Sequence, residues 1–257
     1  MKNIKKIICL ILIFSLAFSG TQNVTAAKKH YSMKSVDWGL GLNNNHATPG
    51  GTVPYSGFSL KKYNTIYTGN TKKKCIYLTF DCGYENGYTA DILDTLKEKG
   101  VHAVFFVTLP YVKAQPDLVQ RMIDEGHTVG NHSNKHITYP SLSLEEAKED
   151  LMSLHQYMLD TYQYKMSVFR FPEGNFSEQT LALVQSCGYK SLFWSFAYQD
   201  WYTDNQPNPS DALNSMLNKA HPGAIYLLHA VSSTNAQVLG DFIDGMQEKG
   251  YVFADFE

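Results

Sequence analysis

From residue 74 to the end of the chain, short apolar runs rich in β-branched and aromatic residues alternate with segments of helical periodicity. The apolar runs predict seven strands, at Cys75–Asp81, Val101–Val107, His127–Asn131, Ser167–Phe171, Tyr189–Phe196, Ala224–His229 and Tyr251–Phe256. The amphipathic segments predict six helices, at Tyr88–Lys99, Pro116–Glu125, Ser143–Tyr164, Ser177–Cys187, Ser210–Lys219 and Asn235–Lys249. This alternation is typical of repeated βαβ units with parallel pairing, and therefore of an α/β fold.

Two ways of closing such a sheet compete: an open doubly wound sheet, and a TIM-like barrel that is one strand short. Nucleotide-binding open sheets carry a Gly-x-Gly-x-x-Gly or a Walker sequence after an early strand, and this chain has neither. The stretch from residue 72 to residue 257 is also short for an eightfold barrel and fits seven units. The barrel is therefore the favoured architecture.

Residues 1–26 have the three parts of a secretory signal peptide. Three lysines come first, Ile7–Phe18 is an apolar run of 12 residues, and Val24–Ala26 offers small residues for cleavage. Such a run is too short to span a hydrocarbon core of about 30 Å comfortably, so export is favoured over a retained membrane anchor. Residues 27–71 are rich in Gly, Asn, Tyr and Pro, which predicts a loop-rich extension before a folded domain at 72–257.

The composition narrows the class of partner. Hydrophobic residues make up 44% of the chain, enough for a substantial core, and the aromatic fraction of 13% suits a protein that handles sugars or other flat ligands. The net charge is −2, and the lysines of the signal segment are not balanced by any acid there, so the rest of the chain is more acidic than the whole. A general nucleic-acid binder needs a basic surface and is disfavoured.

Cysteine usage excludes a multi-disulfide scaffold. Of the four cysteines, Cys9 falls in the signal segment, which leaves Cys75, Cys82 and Cys187. An exported chain with three cysteines can form one internal disulfide at most. At least one thiol therefore stays free or takes part in chemistry.

Polar residues of the kinds used in catalysis follow five of the seven predicted strands. They are Asp81, Asn131 with His132, Arg170, Asp200 with Trp201, and His229. Because the carboxyl ends of parallel strands meet at one rim, these side chains are expected to form one site. A scattered set of surface charges would not show this regularity.

Three residue types near this rim have more than one interpretation. His132 and His136 are four residues apart, a spacing that would place two imidazoles on one face of a helical turn and suits one metal ion. Two exposed loop histidines would give the same pattern, but Asp81 and His229 at the same rim favour the metal site. Asp81 can act as a metal ligand or a general base, or it can cap a turn. Cys82 can supply a thiolate ligand or pack as a small apolar residue.

Five motifs resemble, in their order, those of the NodB-homology polysaccharide deacetylases, carbohydrate esterase family four. They are Thr79–Asp81, His132–His136, Arg170–Gly174, Asp200–Trp201 and Leu227–His229, and the resemblance covers residues 72–257. It implies a distorted (β/α)7 TIM-like barrel with parallel strands, in agreement with the strand count. The stretches TFDCGYENGYT, EGHTVGNHS, FWSFAYQDW and HPGAIYLLHAVS are similar to the sporulation branch, which deacetylates N-acetylmuramic acid on the way to muramic δ-lactam in spore-cortex peptidoglycan.

The resemblance implies four catalytic residues. Asp81 would be the general base that takes a proton from water, and His229 the general acid that protonates the departing sugar amine. Arg170 would orient the base, and Asp200 would tune the acid. Alternatively, Arg170 could have a purely structural role in an ion pair.

The resemblance also implies a metal site and a substrate pocket. His132 and His136 would hold a divalent metal ion, Zn²⁺ first, with Co²⁺ or Mn²⁺ as alternatives. Trp201 and Leu227 would wall the small pocket for the acetyl methyl group. A backbone N–H near Glu173 would help to hold the oxyanion.

The sequence departs from the family pattern at two motifs. Most members have an Asp ligand at the position of Cys82, and the sporulation branch often has Asn there. The third metal ligand is thus open between the Cys82 thiolate, water and Asp81. Phe171 and Glu173 also differ from the usual residues of the third motif, and Glu173 adds a negative charge at the groove edge.

These observations predict an exported, metal-dependent peptidoglycan N-deacetylase of the cell envelope, acting on N-acetylmuramic acid in muramic δ-lactam formation. Its expected partners are peptidoglycan glycan strands and, in addition, an accessory envelope protein, and it is expected to be a monomer. Two alternatives stay open. One is a deacetylase of chitin-like or xylan chains, and the other is a glycan-binding pseudoenzyme, which Cys82 motivates.

Overall fold

The computed structural model describes residues 30–41, 46–51 and 57–256. The chain divides into two compact units, Met1–His30 and Tyr31–Glu257, and His30 is the only described residue of the first. The expected signal peptide at residues 1–26 therefore lies outside the described residues. Within the described ranges, none of the helices has the length and apolar character needed to cross a membrane.

Six of the seven α-helices in the described ranges occupy the predicted segments, with bounds that differ by a few residues. They are α1 (Thr89–Lys99), α2 (Leu109–Ala114), α3 (Pro116–Asp124), α4 (Leu144–Tyr162), α5 (Glu178–Ser186), α6 (Pro209–Asn218) and α7 (Ser233–Glu248). Helix α4 begins with a capping box, in which the side chains of Ser143 and Glu146 each accept the other's backbone N–H. Helix α2 has no predicted counterpart; Thr108 caps its first turn.

All seven predicted strands are present, although several are shorter than predicted. The described ranges contain β1 (Val36–Asp37), β2 (Thr65–Ile66), β3 (Cys75–Cys82), β4 (Val104–Val107), β5 (Thr128–Asn131), β6 (Val168–Phe169), β7 (Asn175–Phe176), β8 (Lys190–Leu192), β9 (Ala224–His229) and β10 (Val252–Phe253). The unpredicted strands β1, β2 and β7 have two residues each, too few for a period-two pattern to show.

The main sheet is parallel throughout and curls on itself. Its strands run in the order β9, β3, β4, β5, β6, β8, and an isolated parallel bridge between Phe196 and Tyr226 joins the chain after β8 back to β9. The short strands β10 and β2 pair with β3 and β8. The architecture is the predicted distorted α/β barrel. In the register of β3 and β9, Asp81 lies beside His229 at the carboxyl end.

Side-chain alternation along the strands creates two apolar layers. The main core contains Phe80 and Cys82 of β3 together with residues of the surrounding helices, so it lies between sheet and helices. A smaller cluster inside the barrel consists of strand residues, namely Val104, Phe106, Val168, Leu192 and Ile225. Because successive side chains of a strand point to opposite faces, Asp81 is directed away from the layer that holds Cys82.

The extension before the barrel packs against it more closely than its loop-like composition suggests. Strand β1 pairs in antiparallel fashion with β7. Trp38 is buried, stacks on Phe193 with ring centroids 4.8 Å apart, and donates its indole N–H to the Trp194 carbonyl at 3.1 Å. Its backbone N–H donates to the Gly174 carbonyl at 2.9 Å. The extension therefore braces the segment that follows β6.

Candidate active site

A pocket of about 750 Å³ opens at the carboxyl ends of the barrel strands. Seven of the ten predicted site residues line it: Asp81, His132, His136, Glu173, Trp201, Leu227 and His229. Arg170 and Asp200 lie fully buried behind the wall and contact lining residues. Cys82 does not line the pocket. Nine of the ten predicted site residues therefore lie at this pocket or directly behind its wall, whereas Asn131, which was also expected at the rim, does not line it.

Asp81 and Arg170 form a buried ion pair at the pocket floor. Arg170 Nη1 donates to Asp81 Oδ1 at 2.7 Å, and Arg170 Nε donates to the Leu192 carbonyl at 3.1 Å. The guanidinium also stacks 4.2 Å from the centroid of Phe106. Burial alone would raise the pKa of Asp81, but Arg170, assisted by His132 and His229, lowers it below its ordinary value. The carboxylate therefore stays ionised and can accept a proton.

His132 is buried and held in one tautomer. Its Nδ1 lies 2.9 Å from the Arg170 carbonyl, which can only accept, so Nδ1 carries the proton. Its Nε2 lies 3.4 Å from Asp81 Oδ2. Burial lowers the pKa of His132 to about 4, so the ring is neutral near pH 7 and its Nε2 has a free lone pair. This is the state in which an imidazole binds a metal ion.

The rings of His132 and His136 approach each other, but not through a helical turn. Their centroids lie 4.8 Å apart, while Ser133 and His136 adopt left-handed φ angles of 76° and 54°. The predicted helical geometry at this point is wrong, because these two residues fold the segment into a tight loop. Asp150 of α4 holds the loop by accepting the backbone N–H groups of residues 134 and 135 at 3.1 and 3.0 Å.

His229 is bound to Asp200 by two hydrogen bonds. The ring Nδ1 lies 2.7 Å from Asp200 Oδ1, and the backbone N–H of His229 donates to Oδ2 at 2.8 Å. Burial alone would lower the pKa of His229, but the hydrogen bond and charge of Asp200 raise it above its ordinary value. The imidazole is thereby held in its protonated form to higher pH, as a general acid requires.

Asn235 of α7 is a supporting residue that sequence reasoning missed. Its side-chain N–H groups donate to Asp200 Oδ2 at 2.6 Å and to the His229 carbonyl at 3.1 Å. Its own side-chain oxygen accepts the Tyr198 hydroxyl. Asp150 was missed in the same way. Asn235 is 35 residues from Asp200, and Asp150 is 15 residues from Lys135, and no local motif marks either contact.

The remaining wall is partly aromatic. Trp201 is 39% exposed and its ring lies 5.5 Å from that of His229. Leu227 comes from β9, two residues before His229, and therefore shares its face of the sheet. Glu173 is exposed at the rim and has a left-handed φ of 56°. Trp194, which sequence reasoning did not assign to the site, also lines the pocket.

The position of Cys82 differs from the expectation that it could be a metal ligand. Its side chain has no solvent exposure, belongs to the core between sheet and helices, and lies 4.0 Å from the Phe80 carbonyl. Burial raises the pKa of the thiol well above its ordinary value, so it stays protonated. The structure therefore does not place Cys82 as the third ligand, because its side chain lies in the core, on the other face of β3 from Asp81. Cys75 and Cys187 are also free, so the described residues form no disulfide.

The described residues do not by themselves form a complete metal cage. Among them, no group of three or more His, Cys, Asp or Glu side chains is arranged to hold a metal ion. The donor chemistry of His132 and His136 nevertheless fits a divalent cation, because a neutral imidazole with a fixed tautomer stands beside a second imidazole and near a carboxylate. Catalytic sites of this kind leave coordination positions to water and substrate.

Comparison with known proteins identifies relatives of this chain. A family model described as polysaccharide deacetylase matches residues 68–192. The chain is 42% identical over 224 residues to the peptidoglycan-N-acetylmuramic acid deacetylase PdaA of Bacillus subtilis, covering 86% of this chain and 84% of that protein. The solved structure of B. subtilis PdaA, a family 4 carbohydrate esterase, aligns with a TM-score of 0.82 at 41% identity, over 86% of this chain and 95% of that one.

A second solved structure bears on the alternatives. A CE4 family pseudoenzyme from Bacillus anthracis aligns with a TM-score of 0.69 at 29% identity, over 74% of this chain and 66% of that one. The fold therefore occurs in both an enzyme and a pseudoenzyme, and the site residues must distinguish them. On the extent of its match to PdaA and to the family model, this chain belongs to the polysaccharide deacetylase family, the family 4 carbohydrate esterases.

Proposed function

We propose that this protein is a metal-dependent hydrolase that removes the acetyl group from N-acetylmuramic acid residues of peptidoglycan, releasing acetate and a free sugar amine. The observation that carries the proposal is the presence of two tuned pairs at one pocket, Asp81 with Arg170 and His229 with Asp200. Amide hydrolysis needs a base for the attacking water and an acid for the leaving amine. The relative PdaA, a peptidoglycan-N-acetylmuramic acid deacetylase, supports muramic acid as the sugar.

Asp81 is the base in this proposal. Arg170 occupies Oδ1, which leaves Oδ2 to take the proton of a water molecule. The oxygen of that water adds to the acetamide carbon as its proton moves to Asp81. The lowered pKa of Asp81 ensures that the carboxylate is ready at neutral pH, while its buried setting strengthens its interaction with the reacting groups.

His229 is the acid. Asp200 binds its Nδ1, so Nε2 is the nitrogen that can donate to the substrate. When the carbon–nitrogen bond breaks, the sugar nitrogen takes the Nε2 proton and leaves as an amine. The carbon keeps the oxygen from water, and acetate is the second product. Asn235 keeps Asp200 aligned for this step.

His132 and His136 would hold the metal ion. The imidazole nitrogens and the nearby carboxylate suit Zn²⁺, with Co²⁺ and Mn²⁺ as alternatives. When bound, a divalent cation would polarise the acetamide oxygen and lower the pKa of water at the site. Because Cys82 faces the core, water and substrate would complete the coordination.

The substrate walls support an acetyl-sized group. Trp201 and Leu227 offer apolar surface beside His229, which suits the acetyl methyl group. The backbone around Glu173 turns through left-handed conformations at Glu173 and Gly174, with φ angles of 56° and 68°. A backbone N–H in such a turn would stabilise the developing oxyanion.

The proposed setting is the cell envelope. The signal-peptide pattern of residues 1–26 supports export, and the motif resemblance to the sporulation branch supports a role in muramic δ-lactam formation for spore cortex. The proposed partners are peptidoglycan glycan strands, with an accessory envelope protein as an additional candidate, and the proposed state is a monomer.

An acetate-release assay on defined glycans tests the proposal. The purified protein is incubated with Zn²⁺, Co²⁺ or Mn²⁺ and one of three polymers: amidase-treated peptidoglycan strands, chitooligosaccharides or acetylated xylan. We expect acetate from the muramic strands, with the other two polymers at least tenfold poorer substrates. Acetate released mainly from chitooligosaccharides or xylan would instead identify those polymers as the substrates.

A glycan-binding pseudoenzyme is the second candidate, and the observation that favours it is Cys82. The residue that most family members use as a ligand is replaced here by a thiol that faces the core. The same assay separates the two. A folded sample that retains no metal and releases no acetate from any polymer, while PdaA does so, would support the pseudoenzyme.

A further inference from the structure

Lys135 is the one lysine or arginine among the described residues that line the pocket. The other residues of the wall with carboxyl or imidazole side chains are Asp81, His132, His136, Glu173 and His229. Asp81 already binds Arg170, and His229 already binds Asp200. An anionic substituent that enters the pocket therefore meets one uncommitted permanent cation, and that cation is Lys135.

The ammonium group of Lys135 is available. Lys135 is exposed, and its side chain makes no hydrogen bond or ion pair within the described part of the chain. The acidic group that experiences its charge, Glu146, is engaged in the cap of α4, where it accepts the backbone N–H of Ser143 at 2.9 Å. A ligand carboxylate would thus not have to displace an existing partner of Lys135.

The backbone at Lys135 is held in place by hydrogen bonds. Its backbone N–H donates to Asp150 Oδ1 at 3.0 Å, and the next residue, His136, donates its backbone N–H to Ser133 Oγ at 2.8 Å. Tyr139 anchors the same Asp150 carboxylate at 3.2 Å. The loop that carries the two histidines therefore also carries the lysine, so the lysine and the reacting centre share one scaffold.

The chemistry of the sugar gives this cation a use. N-Acetylmuramic acid carries a lactyl ether on the ring carbon next to the one that bears the acetamide, whereas N-acetylglucosamine has a neutral hydroxyl there. A free lactyl carboxylate therefore accompanies the scissile amide into the pocket. When a peptide stem is attached, the same carboxyl is an amide and the charge is gone.

We propose that Lys135 is a specificity-determining residue that binds the free lactyl carboxylate of peptide-free muramic acid. This inference rests on the proposed function and names the substituent that the site recognises. Glu173, the carboxylate of the wall for which no ion pair is present among the described residues, would disfavour an anion placed near it, so the lactyl group would orient towards the Lys135 side.

The test compares two glycan strands that differ in one charge. Peptide-free muramic strands are used as such, or after their carboxyl groups are coupled to methylamine, which leaves the acetamide untouched. We expect the unaltered protein to prefer the charged strand roughly three- to tenfold in kcat/KM, mainly through KM, and to lose that preference as salt is raised. Lys135→Gln should abolish the preference, and Lys135→Arg should keep most of it.

A matched control is Lys148→Gln, an exposed lysine of α4 that does not line the pocket and should leave both strands unaffected. Equal losses on both strands in Lys135→Gln, or an unaltered protein that treats both strands alike, would overturn the role of Lys135 while leaving the deacetylase standing. Acetate from neither strand would overturn the proposed function itself. Thermal unfolding of each variant excludes misfolding as the source of a loss.

Discussion

Arg170, a side chain with no solvent exposure, donates a 2.7 Å hydrogen bond to Asp81 from inside the barrel. A buried charge pair is costly to desolvate and is seldom a stability device. Here the guanidinium also donates to the Leu192 carbonyl, and the backbone carbonyl of Arg170 accepts from His132 Nδ1. One residue therefore sets the ionisation of the base and the tautomer of the neighbouring histidine.

Replacing Arg170 should lower the stability of the protein, because the Asp81 carboxylate is buried. We expect Arg170→Met to lower the free energy of unfolding by about 3–5 kcal/mol, because Asp81 is left without its partner. In the double variant with Asp81→Asn the loss should be smaller than the sum of the single losses. Urea unfolding of the four proteins measures this coupling, and strictly additive losses would show that the pair does not act as a unit.

Replacing Asp200 should move the pH profile. Asp200 raises the pKa of His229, and the acid must be protonated to act, so activity is retained below that pKa and falls as pH rises through it. In Asp200→Asn the alkaline limb of the kcat/KM profile should shift to lower pH, with at least about a tenfold loss near neutrality. An unchanged alkaline limb would mean that a different group sets it.

Cys82 should be dispensable for metal binding. Because the thiol is buried in the apolar core, Cys82→Ala should keep the metal content and cost about 1 kcal/mol of stability for the lost packing. His136→Ala serves as the matched control and should lose most of the metal. The metal content of each dialysed protein is then measured. If Cys82→Ala loses as much metal as His136→Ala, the thiol is a metal ligand after all.

Trp38 should support the pocket from outside the barrel. Trp38→Ala is expected to cost about 3–5 kcal/mol, because a buried indole that stacks on Phe193 is removed. Trp38→Phe keeps the ring but loses the hydrogen bond to the Trp194 carbonyl, for about 1 kcal/mol. Denaturant unfolding measures both losses. Two equally small losses would show that the extension does not brace the barrel.

Periodicity and strand-end chemistry predicted most of the fold and the site. The apolar runs located β3 and β9, and the polar residues at their ends marked Asp81 and His229. Alternation along β3 places Cys82 on the opposite face from Asp81, in the apolar core. The prediction of a metal ligand at Cys82 relied instead on the ligand position of the family motif.

Other features depend on tertiary pairing that local patterns do not encode. The spacing of His132 and His136 suggested a helical turn, but left-handed φ angles at Ser133 and His136 bring the rings together instead. Asn235 and Asp150 hold site residues from helices whose sequence patterns report only their own amphipathic faces. Such contacts become visible only when the helices are packed on the barrel.

We propose that Asp81 and His229 hydrolyse the acetamide of muramic acid, and mass spectrometry of the sugar products detects that reaction itself. Peptide-free glycan strands are digested after incubation with the unaltered protein or with Asp81→Asn, each supplied with Zn²⁺, Co²⁺ or Mn²⁺. We expect deacetylated muramic residues with the unaltered protein and at least about a hundredfold less product with Asp81→Asn. Fully acetylated muramic residues with every metal, or equal product from both proteins, would contradict it.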